Sequence, residues 1–122
     1  MKFKRIKTAF LAVLFTTSLP AFAAEAESCV PSWCKAPNAK LKPSEQSICR
    51  YPELQTADHL LNLVYQQYRN ALQGEAQKKL TAAQSQWRTQ ERDTLTGKQE
   101  LLAAILERVQ EINFMSSMVN NP

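Results

Sequence analysis

Positions 54, 57, 58, 61, 64, 65, 68, 71 and 72 recur at helical spacing and read Leu, Ala, Asp, Leu, Val, Tyr, Tyr, Ala and Leu. Only Asp58 interrupts this apolar and aromatic stripe, and its period fits a helix rather than a strand. The pattern predicts a long helix over Tyr51–Gln73. Pro52 suits the first helical turn, where its missing N–H is not needed, and Glu53 suits the positive end. Such a helix spans about 30 Å. It cannot bury one face alone, so the rest of the chain must supply its partners.

Two more helices are predicted. Glu75–Thr94 has a thin stripe of Leu80, Ala83, Trp87 and Thr94, so Trp87 should carry most of its contact area. Gly74 is the natural stop before it, although a glycine is also tolerated inside one continuous helix at about 1 kcal/mol. Thr96 and Gln99 fit a capping box opening Gln99–Met118. That helix has the widest apolar face: Leu101, Leu102, Ile105, Leu106, Val109, Ile112 and Met115. A face so broad packs against both other helices or contributes to a dimer seam. A short helix, Ser44–Cys49, is expected upstream, capped by Ser44 with Ile48 and Cys49 inward. Pro52 separates it from the long helix.

The predicted fold is therefore all-α: a small bundle of three long antiparallel helices, a short N-terminal helix and a disulfide-pinned loop. Leu54, Leu61, Tyr65, Tyr68, Leu80, Trp87, Leu101, Ile105, Val109 and Ile112 are its expected core.

The N-terminus changes the picture. Lys2, Lys4, Arg5 and Lys7 precede the mainly apolar run Thr8–Leu19, and Ala21-Phe22-Ala23 offers a small-x-small cleavage pattern. This reads as a signal peptide, residues 1–23, cut after Ala23. The apolar run is short for a membrane span of about 20 residues. Residues 24–122 then form one domain. Cleavage removes four of the 15 basic residues and none of the 11 acidic ones, so the whole formal charge of +4 leaves with the leader. A neutral product gives no argument for nucleic acid or for an acidic membrane. Ala26-Glu27-Ser28 before Cys29 lacks a lipid-attachment setting, so the product is expected to be soluble.

Three cysteines, Cys29, Cys34 and Cys49, fall early in that domain. Export permits disulfides, and three thiols cannot all pair within one chain. Cys34–Cys49 is the preferred pairing and would contribute about 3 kcal/mol through chain entropy. It would leave Cys29 outside the staple or linking two chains, and Cys29–Cys49 stands as the alternative. The spacings do not suit a zinc site. Trp33, in the proline-rich loop Cys29–Pro43, either covers the end of the core or anchors a protein partner.

No catalytic constellation assembles. His59 is the single histidine and falls off the stripe, with no nucleophile in prospect. Glu53 and Asp58 are expected where acidic residues suit a helix start. Glu91, Arg92 and Asp93 read as a surface charge cluster. No cofactor is implied, and an enzyme is not expected.

Pro31-Ser32-Trp33-Cys34, Glu45, Ile48-Cys49, Pro52-Glu53-Leu54, Asp58, Leu61, Tyr65, Leu80, Gln84 and Trp87 together resemble the family of LprI-like lysozyme-inhibitor domains. The resemblance covers most of residues 24–122, and Ile48–Leu54 with Asp58 is its most specific part. Thr94 and Leu95 stand where that family places a further cysteine. The resemblance implies an exported, helical, envelope-located protein that binds and blocks a lysozyme-like enzyme, or gives immunity to a cell-wall toxin. Inhibition demands a surface that meets the hydrolase's catalytic carboxylates. Trp33, Lys35, Lys40 and Lys42 in the pinned loop are the candidates. The rival expectation is a structural or adaptor protein of the envelope, dimeric through the Leu101–Met115 face.

Overall fold

The computed structural model describes residues 29–35 and 40–120, with the side chain of residue 120 left aside. The expected leader, its cleavage site and the tail up to Ser28 lie outside these residues. The described chain contains no strand, and its long elements are helices. A 3-10 turn, Ser32–Lys35, precedes α1 (Pro43–Arg50), α2 (Pro52–Ala71) and α3 (Gly74–Gln90). A second 3-10 turn, Arg92–Thr94, leads into α4 (Lys98–Asn120).

Paired termini set the direction of the bundle. Lys98 at the start of α4 forms an ion pair with Glu53 at the start of α2, and its ammonium also lies 5.3 Å from the Tyr51 ring centre. Helices α2 and α4 thus run the same way. Helix α3 returns alongside α2: Tyr65 and Arg69 of α2 both donate to Thr81 Oγ1, and Gln77 Nε2 donates to the Arg69 carbonyl at 3.0 Å. Each long helix is antiparallel to the next.

The core lies mainly between α2 and α4. Leu54, Ala57, Leu61 and Val64 meet Leu101, Ile105, Val109 and Ile112, with Ile48 from α1 and Trp87 from α3 closing the ends. Tyr65, Tyr68 and Trp33 pack partly buried against this cluster. The Cys34–Cys49 disulfide holds the first 3-10 turn against α1, with a Cα–Cα distance of 5.6 Å. Trp33 therefore does cover the core. Leu80 is also buried.

Several local expectations are corrected. Ser44 does not cap α1. The helix begins one residue earlier, the Lys42 N–H donates to Glu45 Oε1 at 2.9 Å, and Ser44 is fully buried inside the first turn. Helix α3 stops at Gln90 rather than continuing to Thr94, because the chain tightens into the second 3-10 turn. Ala83 and Thr94 are exposed, while Gln84 is buried in their place. Gly74 sits at φ +59° at the α2–α3 junction, a conformation glycine adopts without Cβ strain. The first bond of α4 runs from Leu101 N to the Gly97 carbonyl, so Gly97 rather than Thr96 opens that helix.

Candidate functional site

The segment after α3 carries the feature that most separates structure from expectation. Arg92 is 7 % exposed, not a surface residue. The 3-10 turn swings Arg92 and Asp93 onto the first turn of α1, where free N–H groups favour negative charge. Asp93 Oδ1 accepts from Ser44 Oγ at 2.8 Å and from Arg92 Nε at 2.9 Å. Lys42 Nζ lies 2.9 Å from Asp93 Oδ2, and Arg92 Nη2 reaches Glu45 Oε2 at 3.4 Å. Burial would raise the Asp93 pKa, yet hydrogen bonds from Lys42, Ser44 and Arg92 hold it below the ordinary carboxylate value. Of the three residues read as a surface cluster, only Glu91 remains exposed.

This network forms one wall of an open groove of about 490 Å³ between the pinned loop and α3. Trp33, Lys40 and Lys42 line it together with Arg88 and Arg92. Trp33, Arg88 and Arg92 also border a smaller compartment of about 170 Å³, which runs inward to Asp58 and Trp87. Trp33, Arg88 and Arg92 thus belong to the linings of both spaces. Lys35 is exposed at the end of the first 3-10 turn, outside the groove lining. Cys29 is half-buried.

Asp58 occupies the inner compartment. The residue is 7 % exposed, on the second turn of α2 rather than at its start. Its pKa is raised, first because burial penalises the charged form, against the opposing pull of Arg92, Arg88 and His59. Beyond it, Arg108 stacks 5.9 Å over the Trp87 ring and donates to Gln84 Oε1 at 3.0 Å. That lid closes the far side of Trp87, so Trp33 supplies the indole bordering the open groove.

The family model described as Lysozyme inhibitor LprI matches residues 34–119. The chain belongs to the lysozyme inhibitor LprI family. Searches among curated proteins and among solved structures find no match. The matched span runs from the first disulfide cysteine to the end of α4, so the groove of this LprI family member lies almost wholly inside it. Trp33 alone among the groove-lining residues precedes the match, by one position.

The structure brings three of the four sequence-derived binding candidates, Trp33, Lys40 and Lys42, to one surface. It adds Arg88 and Arg92, which periodicity did not select, and Asp58, which the stripe of α2 did contain. Arg88 lies in the last turn of α3, and Arg92 follows it by four residues in the 3-10 turn. That i, i+4 spacing was the available signal, and the unforeseen 3-10 turn concealed it.

Proposed function

We propose that this chain is an exported, non-enzymatic inhibitor of lysozyme or of another peptidoglycan-cleaving hydrolase, acting in the periplasm. Membership of the lysozyme inhibitor LprI family across residues 34–119 carries this reading. Residues 1–23 serve as the export signal. The related role of immunity protein against a secreted cell-wall toxin requires the same surface.

That surface is the pinned loop with its groove. A glycoside hydrolase of this type places two carboxylates around the scissile bond, and cations meeting them would both steer and hold the complex. Lys35, Lys40 and Arg88 are exposed. Lys42 keeps 55 % of its side chain exposed while paired with Asp93. The disulfide fixes Cys34 and the Asp93 network fixes Lys42 beforehand, which lowers the entropy these residues lose on binding. Trp33 adds a rigid aromatic contact.

The test is lysis of a cell-wall suspension by lysozyme with increasing amounts of the oxidised protein. Stoichiometric inhibition, weakened by the charge reversals Lys40→Glu and Arg88→Glu, is the expected result. Full lytic activity at every ratio, across several hydrolases, would overturn it.

One observation favours a second reading, an envelope adaptor that dimerises. Phe114 and Met118 on α4 are 66 % and 58 % exposed, with Leu106 on the same helix 39 % exposed. Sedimentation as a dimer that Phe114→Ser converts to a monomer, with no effect on any hydrolase, would support this reading instead.

A further inference from the structure

We propose that the compartment beside Asp58 is a binding site for a neutral polyhydroxylated ligand, a saccharide unit lying against Trp33. The starting point is an unanswered group. Asp58 is more than nine-tenths buried, and its carboxylate borders the 170 Å³ space. Among the described residues no hydrogen bond or ion pair reaches it. Every other buried acid or base in the neighbourhood is tied down: Arg92 to Asp93 and Glu45, and Asp93 to Lys42 and Ser44. The Asp58 oxygens are not sealed from solvent, but most of the residue is buried, and keeping a carboxylate there with no protein donor is costly. It marks a place where a ligand can supply the missing hydrogen bonds.

Charge selects the class of ligand. An anion entering the space would meet Asp58. A cation would meet Arg88 and Arg92, which border the same space. A neutral ligand escapes both penalties. A hydroxyl donates to a carboxylate while accepting from a guanidinium, so neighbouring hydroxyls on one ring can answer Asp58 and Arg88 together. Asn62 and Gln66 on the exposed rim offer amides that both donate and accept. Trp33 contributes a broad apolar face, which suits the C–H face of a sugar ring. Carboxylate, guanidinium, amides and one accessible indole form a mixed polar and aromatic lining of the kind that orients small ligands. The 490 Å³ groove has the same Trp33 in its lining and offers room for further units of a longer chain.

The chain has two tryptophans, and Trp87 is buried beneath Arg108. Both indoles line the compartment, so comparison with Trp33→Phe separates the Trp33 signal from that of Trp87. The experiment titrates the oxidised protein with chitotetraose and, separately, cellotetraose, followed by fluorescence and by amide chemical shifts. Saturable changes centred on Trp33, Asp58 and Arg88 are expected. Binding of both sugars would show a general saccharide site, and binding of chitotetraose alone one for amino sugars. Asp58→Asn should weaken binding at least tenfold while its thermal melt holds or rises. The separate variant Trp33→Phe should weaken binding yet retain an aromatic cover for the core. No saturable response to either sugar up to about 10 mM would overturn the proposal, since that limit corresponds to negligible affinity. Binding unchanged in Asp58→Asn would also overturn it, as would displacement of the sugar by an arginine-rich peptide, which would assign the space to a basic side chain. The inference goes beyond the inhibitor reading and is independent of it. No hydrolase is present in the titration, so failure here leaves inhibition to stand or fall on the lysis assay.

Discussion

Ser44 Oγ donates to Asp93 Oδ1 across 2.8 Å, joining the first turn of α1 to the turn before α4 over 49 residues of sequence. The same carboxylate receives Arg92 and Lys42. Asp93→Ala would leave the buried Arg92 guanidinium short of one partner and strand the Ser44 hydroxyl. Removing one member of a buried ion pair typically costs about 3–5 kcal/mol, far more than the pair's net worth. The expected result is a midpoint shift of that size in urea, with an unchanged m-value. A loss below about 1 kcal/mol would mean that water replaces the network at little cost.

Two aspartates should give opposite pH signatures. The Asp93 pKa is lowered in the folded state, so its contribution is present above the unfolded value and is lost as pH falls through the folded one. The Asp58 pKa is raised; its contribution is full below the unfolded value and is lost as pH rises through the folded one. Asp93→Asn should therefore flatten the acid limb of the stability profile below about pH 4. Asp58→Asn should raise the neutral-pH melting temperature, with the gain vanishing in acid. Melts of both variants between pH 3 and 8, intervals chosen around the ordinary carboxylate range, check the two signs together.

Trp87 is the main apolar residue that α3 delivers to the central core. It is 6 % exposed, and Arg108 lies over its ring. Trp87→Ala should cost about 3–5 kcal/mol. Because α3 brings little else, the loss should appear as fast hydrogen exchange along α3 while α2 and α4 keep their protection. Uniform loosening of all three helices would show that the bundle opens as a single unit.

The helices were legible because each presents a stripe whose period identifies it, and the broad α4 face fixed most of the core. Leu101, Ile105, Val109 and Ile112 all lie where the period puts them. The disulfide pairing was legible as a preference among three cysteines. What escaped was decided by tertiary contacts. Arg92, Asp93 and Ser44 are polar, and a one-dimensional pattern places polar residues outside. Here they are buried because they satisfy one another across distant turns. Asp58 looked like a helix-start acid, whereas the inner compartment requires α3 and the pinned loop as walls, and neither is visible from the α2 pattern. Ala83 and Gln84 exchanged roles because a thin stripe leaves the rotation of α3 to Trp87 and to the Gln84–Arg108 bond.

The Cys34–Cys49 bridge closes a loop of sequence separation 15, and on chain-entropy grounds such a loop contributes about 3 kcal/mol. Its functional weight should exceed that figure. The bridge holds the 3-10 turn that carries Trp33, and Trp33 borders both compartments and packs on the core. Helices α2 and α4 share a core that does not include the bridge, so reduction should spare most of the helical signal while releasing Trp33. The expected outcome is a red shift in tryptophan emission on reduction, with far-UV dichroism changing little at 25 °C, the temperature of the entropy estimate. Cys34→Ser should reproduce the shift without reductant. A collapse of helicity in step with the fluorescence change would instead make the staple a condition of folding, and the loop would then be structural before it is functional.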